Sequence, residues 1–129
     1  MIVDTSAVIA VLLEEPEAAW FRVLLTSEAD VRMSAVTDYE TRLICVHRRG
    51  PLLVERYEEL LTSSGITIAA FDATQAALAF SAYRRYGKGN HPAKLNFADC
   101  AAYALANSLD MPLLFKGDDF ARTDVRRAL

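Results

Sequence analysis

Asp4 follows the apolar run Met1-Ile2-Val3. Asp99 stands inside Leu95-Asn96-Phe97-Ala98-Asp99-Cys100-Ala101-Ala102. In both contexts an ionised carboxyl group is costly unless something offsets its charge. Glu40, in Ser34-Ala35-Val36-Thr37-Asp38-Tyr39-Glu40, and the pair Asp118-Asp119, after Leu113-Leu114-Phe115-Lys116-Gly117, complete a set of acids spread along the chain. Two kinds of compensation are open. One is helix capping: Asp4 can cap a first helix, Thr37-x-x-Glu40 matches a capping box, and Asp99 lies three residues beyond Asn96, where an acid favours the helix dipole. The other is a divalent cation, Mg²⁺ or Mn²⁺, held by several oxygen ligands whose mutual repulsion its charge offsets. Capping spreads acids over helix starts, whereas a metal site gathers those at one edge of the fold into one pocket, and the two can hold together.

The elements that must position these acids alternate. Met1 to Val3 reads as a buried strand turning at Asp4-Thr5-Ser6 into a helix from about Ser6 to Leu13. Pro16 opens a second helix with Trp20, Phe21, Leu24 and Leu25 on its apolar side. Val31 to Met33 is a further strand candidate. Ser34 to Thr37 then opens a helix that Gly50-Pro51 stops. Pro51 begins a helix reaching Ser64, Ile66-Thr67-Ile68 reads as a strand, and Asp72 caps an Ala-rich helix to Tyr86. After a loop over 87–95, Asn96 starts an apolar helix to about Ser108, Pro112 to Phe115 forms another strand, and Thr123 caps a short final helix.

Strands separated by helices predict an α/β fold: a central, mostly parallel sheet flanked by helices in three α/β/α layers, as parallel strands need crossovers. In such sheets the functional crevice lies at the carboxyl ends of the strands. Asp4 and Asp118-Asp119 follow two strands there, and Glu40 and Asp99 fall in the first turns of helices that can open on the same rim.

At 129 residues the chain suits a single domain, 1–129, and 53% hydrophobic against 24% charged residues excludes disorder. A net charge of −3 argues against a protein that coats nucleic acid by bulk charge, so any nucleic-acid contact is local. Cys45 and Cys100 have no metal-like spacing and read as buried thiols in a reducing compartment. The opening run is too short to span a bilayer and has an acid in place of a basic leader, so a cytoplasmic protein is expected, with no membrane contact.

Arg84, Arg85, Lys88 and Lys94, with Tyr83, Tyr86 and His91, surround the 87–95 loop with basic and aromatic groups of the kind that hold phosphates and stack unpaired bases. The same arginines also complement a helix C-terminus. Thr5 and Ser6 can hydrogen-bond a ligand or phosphate, or serve as ordinary helix-start residues. Lys116, beside the acid pair, can meet a phosphate or remain solvated. Asp38, two positions from Glu40 on a helix, points to another face and reads as a solvated acid, and His47 as a helix-end residue. Trp20, Phe21, Leu24, Leu25 and the face from Leu52 to Leu61 read either as core or as a groove for a partner helix.

The stretches Ile2-Val3-Asp4-Thr5-Ser6-Ala7, Ser34 to Glu40, Leu95 to Cys100 and Leu113 to Phe120, in this order over essentially the whole chain, resemble the VapC toxins, PIN-domain ribonucleases of toxin–antitoxin modules. The resemblance includes the Tyr86-Gly87-Lys88-Gly89-Asn90-His91 loop. It implies a PIN-domain fold, dependence on Mg²⁺ or Mn²⁺, cleavage of RNA phosphodiesters by metal-activated water, inhibition by a VapB-type antitoxin, and a homodimer. By the same resemblance Asp4 and Asp99 match the family's principal metal ligands and Glu40 the acid that helps position metal and water. Asp119 is favoured over Asp118 as a fourth acid. Thr5, Ser6, Arg84, Arg85, Lys88, His91 and Lys116 are the candidates for contact with RNA.

Two other classes compete. A phosphoacceptor receiver domain also sets acids around Mg²⁺ at the carboxyl edge of a parallel sheet. It requires an acidic pair after the first strand, where this chain has Asp4 alone. A PIN-like RNA-binding module without catalysis is the other, and the acids at every expected place speak against it.

Overall fold

The computed structural model describes residues 1–129. Its elements run β1 (Ile2–Val3), α1 (Thr5–Leu12), α2 (Ala18–Ser27), β2 (Arg32–Ser34), α3 (Ala35–Arg49), α4 (Pro51–Ser64), β3 (Thr67–Ala69), α5 (Ala73–Tyr86), α6 (Phe97–Ser108) and β4 (Leu113–Leu114), followed by a 3₁₀ turn at Phe120–Arg122. The four strands form one parallel sheet in the order β3-β2-β1-β4. Ile2 pairs with Arg32 on one side and Leu113 on the other, so β1 is central. The chain steps from β1 to β2 to β3 in one direction and returns to place β4 on the far side of β1. That reversal makes β1 and β4 the switch point, where an open parallel sheet leaves a crevice beyond its carboxyl ends.

Successive strand side chains point to opposite faces, and the core divides accordingly. Val3 and Leu114 join Val8, Val11, Phe21, Leu25, Met33, Leu53 and Tyr57 in one apolar layer. Ile2 and Leu113 join Ala79, Ala82, Tyr86, Leu95, Tyr103, Leu105 and Phe115 in the other. The expected three-layer α/β architecture is the one observed. No helix is long and apolar enough to cross a membrane.

The structure redraws several local expectations. Thr37-x-x-Glu40 is not a capping box: Ser34 caps α3 by accepting from the Val36 N–H, and Thr37 is already inside the helix and buried. Glu40 therefore sits on the second turn, free of capping duty. Thr123 starts no final helix. It closes the 3₁₀ turn, and the chain beyond it lies extended against β4, with the Leu113 N–H donating to the Arg126 carbonyl and the Ala128 N–H to the Leu113 carbonyl. The unpaired edge of β4 outcompetes a short C-terminal helix because so short a segment cannot offset its own nucleation.

Asp38 is not solvated. It accepts from Tyr57 Oη at 2.9 Å and pairs with Arg42, whose guanidinium also reaches Glu58 and lies over the Tyr57 ring. On α2 only part of the apolar side enters the core: Phe21 and Leu25 are buried, whereas Trp20 remains 64% exposed. Gly87 is required by a close approach, since a Cβ there would lie 2.3 Å from the Tyr83 carbonyl oxygen.

Candidate active site

β1 ends at Val3, and the chain turns directly into α1 through Asp4, whose extended backbone makes it the N-cap. Asp4 Oδ2 accepts from the Ser6 N–H at 3.0 Å and from Ser6 Oγ at 2.6 Å. Ser6 Oγ in turn accepts from the Lys116 N–H at 3.0 Å, which ties the residue after β1 to the loop after β4. Across the neighbouring helix start, Asn96 and Asp99 form a reciprocal capping box: the Asp99 N–H donates to Asn96 Oδ1 at 2.9 Å and the Asn96 N–H to Asp99 Oδ2 at 3.0 Å. Capping thus engages one oxygen of each carboxyl group, as the sequence led us to expect, and leaves the other uncommitted.

Both acids nonetheless share one open cleft of about 400 Å³ with Thr5, Ser6, Glu15, Glu40, Asn96 and Lys116. Burial pushes the Asp4 carboxyl up to about 6 against the pull of the Ser6 hydrogen bonds, with the charge of Glu40 adding to the rise. Burial likewise pushes Asp99 up to about 7, the Asn96 N–H opposes it, and the charges of Asp4, Glu40 and Asp119 raise it further. These carboxylates therefore feel one another, and none of them is paired with a basic side chain.

The donor set suits a hard divalent cation. No three His, Cys, Asp or Glu side chains converge as a closed cage. Mg²⁺ does not require one, because it keeps several waters and is commonly held by one or two carboxylates together with substrate phosphates. Two partly desolvated carboxyl groups, Asp4 buried and Asp99 half-buried, at the rim of an open cleft fit that pattern.

The other sequence-derived candidates divide. Asp119 is exposed at the start of the 3₁₀ turn, yet its charge acts on Asp99, which Asp118 does not share. Thr5 lines the cleft and accepts from Thr41 Oγ1 at 3.3 Å. Lys116 lines it too, but its ammonium is engaged by Glu15 and by Glu17, the latter at 3.1 Å. Arg85 is drawn away, pairing with Asp124 at 3.2 Å and lying over the Tyr86 ring. Tyr86 is buried, so it offers no face for an unpaired base. His91 Nδ1 accepts from the Ala93 N–H within the loop. Arg84 and Lys88 are exposed and lie outside the cleft.

Sequence reasoning did not single out Glu15, Ile44, Arg48 or Asn96 as site residues, although all four line the cleft. For Ile44 and Arg48 a signal existed: they follow Glu40 at intervals of four, which places all three on one helical stripe.

Acids from separate elements thus meet at the switch point of a three-layer α/β domain with a parallel sheet. Residues 1–126 match the family described as PIN domain. Ribonuclease VapC42 of Mycobacterium tuberculosis is 44% identical over 99% of this chain and 98% of its own. Ribonuclease VapC28 of the same organism is 42% identical over 100% of this chain and 98% of its own. In fold, the chain resembles the Mycobacterium tuberculosis VapC20 toxin, described as cleaving the sarcin-ricin loop, with a TM-score of 0.79 at 16% identity over 96% of this chain and 95% of that one. The chain belongs to the PIN-domain family, among its VapC ribonucleases.

Proposed function

We propose that this protein is the toxin of a VapBC-type module, an endoribonuclease that hydrolyses RNA phosphodiesters with Mg²⁺ or Mn²⁺. The observation that carries the reading is the pair Asp4, buried, and Asp99, half-buried, both with raised pKa values and brought to one cleft from helix starts far apart in sequence. In this reading Asp4 and Asp99 hold the cation, and Glu40 and Asp119 add negative charge around it. A bound Mg²⁺ or Mn²⁺ supplies an acidified water and a counter-charge for the phosphate.

The chain's own groups do the rest. Ser6 and Asn96 fix the two principal carboxyl groups by hydrogen bonds to one oxygen of each and leave the other oxygen for a cation. Glu15 and Glu17 neutralise Lys116, which keeps its ammonium from pairing with Asp4 or Asp99 and lowering their affinity for a cation. The open shape of the cleft admits an extended strand rather than a small enclosed ligand. Inhibition by a VapB-type antitoxin follows from the family, and Trp20, exposed on α2, is available to such a partner. We place the protein in the cytoplasm, as one PIN unit over 1–129 that pairs into a homodimer. The free Cys45 and Cys100 agree with a reducing compartment.

The test is cleavage of a panel of tRNA, ribosomal RNA and single-stranded RNA by antitoxin-free protein, with Mg²⁺, with Mn²⁺ and with EDTA. Asp4→Asn, Asp99→Asn, Asp118→Asn and Asp119→Asn are assayed beside it. Loss of cleavage in EDTA and in folded Asp4→Asn and Asp99→Asn, with Asp119→Asn impaired more than Asp118→Asn, supports the assignment. Cleavage that survives both principal substitutions, or no cleavage by the unsubstituted protein, overturns it.

A further inference from the structure

Basic side chains near the cleft are mostly committed elsewhere. Lys116 is held by Glu15 and Glu17, and Arg42, on the same helix as Glu40, by Asp38 and Glu58. Arg48 differs. It is exposed, lines the cleft with Asp4, Glu40 and Asp99, and its side chain forms no hydrogen bond, only its backbone carbonyl accepting from the Arg49 guanidinium. Its guanidinium forms no ion pair, even beside a cleft rich in acids.

The three basic residues in the last turn of α3, His47, Arg48 and Arg49, all complement the helix dipole. Only Arg48 also continues the Glu40 and Ile44 stripe into the cleft, while Arg49 faces a separate groove beside Leu12, Leu13, Leu52 and Leu53. Dipole complementarity accounts for the charge but not for that direction. Eight residues separate Arg48 from Glu40, about 12 Å along the helix axis. Helical Cα–Cβ bonds tilt toward the helix N-terminus, so the Arg48 side chain sets out in the direction of the acids.

We infer that Arg48 binds a non-scissile backbone phosphate of the RNA, holding the strand along α3 so that the phosphate to be cut reaches Asp4 and Asp99. This rests on the ribonuclease reading above. A planar guanidinium with free donors matches the geometry of phosphate oxygens. Its distance from the principal acids lets it attract a polyanion into a cleft whose floor repels one. Ile44, between the two charges, gives the stripe an apolar segment against which a sugar or base edge can rest.

The test compares Arg48→Ala, Arg48→Lys and Arg49→Ala in two assays. The first is steady-state cleavage of whichever RNA of the panel above the unsubstituted protein cuts. The second is binding of a fluorescent single-stranded polyuridylate oligonucleotide in EDTA, over a range of salt concentrations. For Arg48→Ala, KM rises about tenfold, as expected for one charge-assisted contact. Its kcat stays within about twofold, because the contact exists before and during the chemical step alike. Oligonucleotide binding weakens, and the slope of log affinity against log salt falls by about one. Arg48→Lys recovers the salt slope and part of KM, and Arg49→Ala leaves both assays unchanged. An unchanged KM and salt slope in Arg48→Ala overturns the inference, as does a loss confined to kcat or one accompanied by unfolding in both Arg48 variants. If the unsubstituted protein cuts no RNA, the ribonuclease reading fails, and the binding assay still decides whether Arg48 meets phosphate.

Discussion

Ser6 Oγ donates to Asp4 Oδ2 at 2.6 Å while accepting the Lys116 N–H at 3.0 Å, so one hydroxyl holds the acid after β1 and the loop after β4 in a single arrangement. Hydroxyl groups can donate and accept together, which neither Ala nor a carboxylate in this place can do. The local N-cap bond from the Ser6 N–H would persist without the side chain, but the link between the two strand ends would not.

Ser6→Ala is therefore expected to raise the Mg²⁺ concentration needed for half-maximal RNA cleavage by about tenfold or more, the usual consequence of removing a group that orients a metal ligand. Ser6→Thr retains the hydroxyl and should stay near the unsubstituted protein. A Mg²⁺ titration of cleavage rate for the three proteins checks this. An unchanged Mg²⁺ requirement in Ser6→Ala would show that the backbone N–H alone orients Asp4.

The raised carboxyl groups fix a sign for the pH dependence of stability. In the folded, metal-free protein Asp4 and Asp99 keep their protons up to about pH 6 and 7, whereas an unfolded aspartate loses its proton near 3.8. Their contribution is thus fully present below pH 3.8 and is lost as pH rises through 6 to 7. Thermal unfolding in EDTA should give a lower Tm at pH 8 than at pH 5.5 so far as these two groups govern it. Added Mg²⁺ should raise Tm strongly at pH 8 and weakly at pH 5.5, because the cation binds the ionised form. A Mg²⁺ effect equal at both pH values would contradict ligation by these two acids.

Tyr57 is buried between α3 and α4 and gives its hydroxyl to Asp38, which Arg42 also contacts. Tyr57→Phe keeps the ring and removes the hydroxyl, leaving a half-buried carboxylate short of one donor. A cost of about 2 kcal/mol is expected, as for a hydrogen bond to a charged group. Urea unfolding measures it. The kcat/KM for RNA should not change, since this network lies on another face of α3 from Glu40 and does not line the cleft.

The alternation of strands and helices, the parallel sheet and the meeting of Asp4 and Asp99 in one cleft were legible in the chain. Apolar runs bounded by short polar acceptors mark strand-to-helix turns, and an acid embedded in apolar sequence must be compensated. Glu40 was placed one turn too early on its helix. The Thr37-x-x-Glu40 spacing resembled a capping box, but Ser34 is the cap and Glu40 reaches the cleft from the second turn of α3. The C-terminal segment was misread because its structure depends on the free edge of β4, a partner that no local pattern reveals.

Arg85, Lys116 and Asp38 mark the boundary most clearly. By sequence alone Arg85 reads as a phosphate contact or a helix-end charge, Lys116 as a phosphate contact or a solvated lysine, and Asp38 as a solvated acid. The fold brings Asp124 to Arg85, Glu15 and Glu17 to Lys116, and Tyr57 to Asp38, and so changes what each charge can do. Composition and periodicity determined which elements form and which acids need compensation, because those depend on neighbours along the chain. Which charges are neutralised and which oxygens stay free was decided only by tertiary structure, because electrostatic pairing depends on distance in space, and residues such as Ser6 and Lys116, 110 positions apart, become neighbours only when β1 and β4 pair.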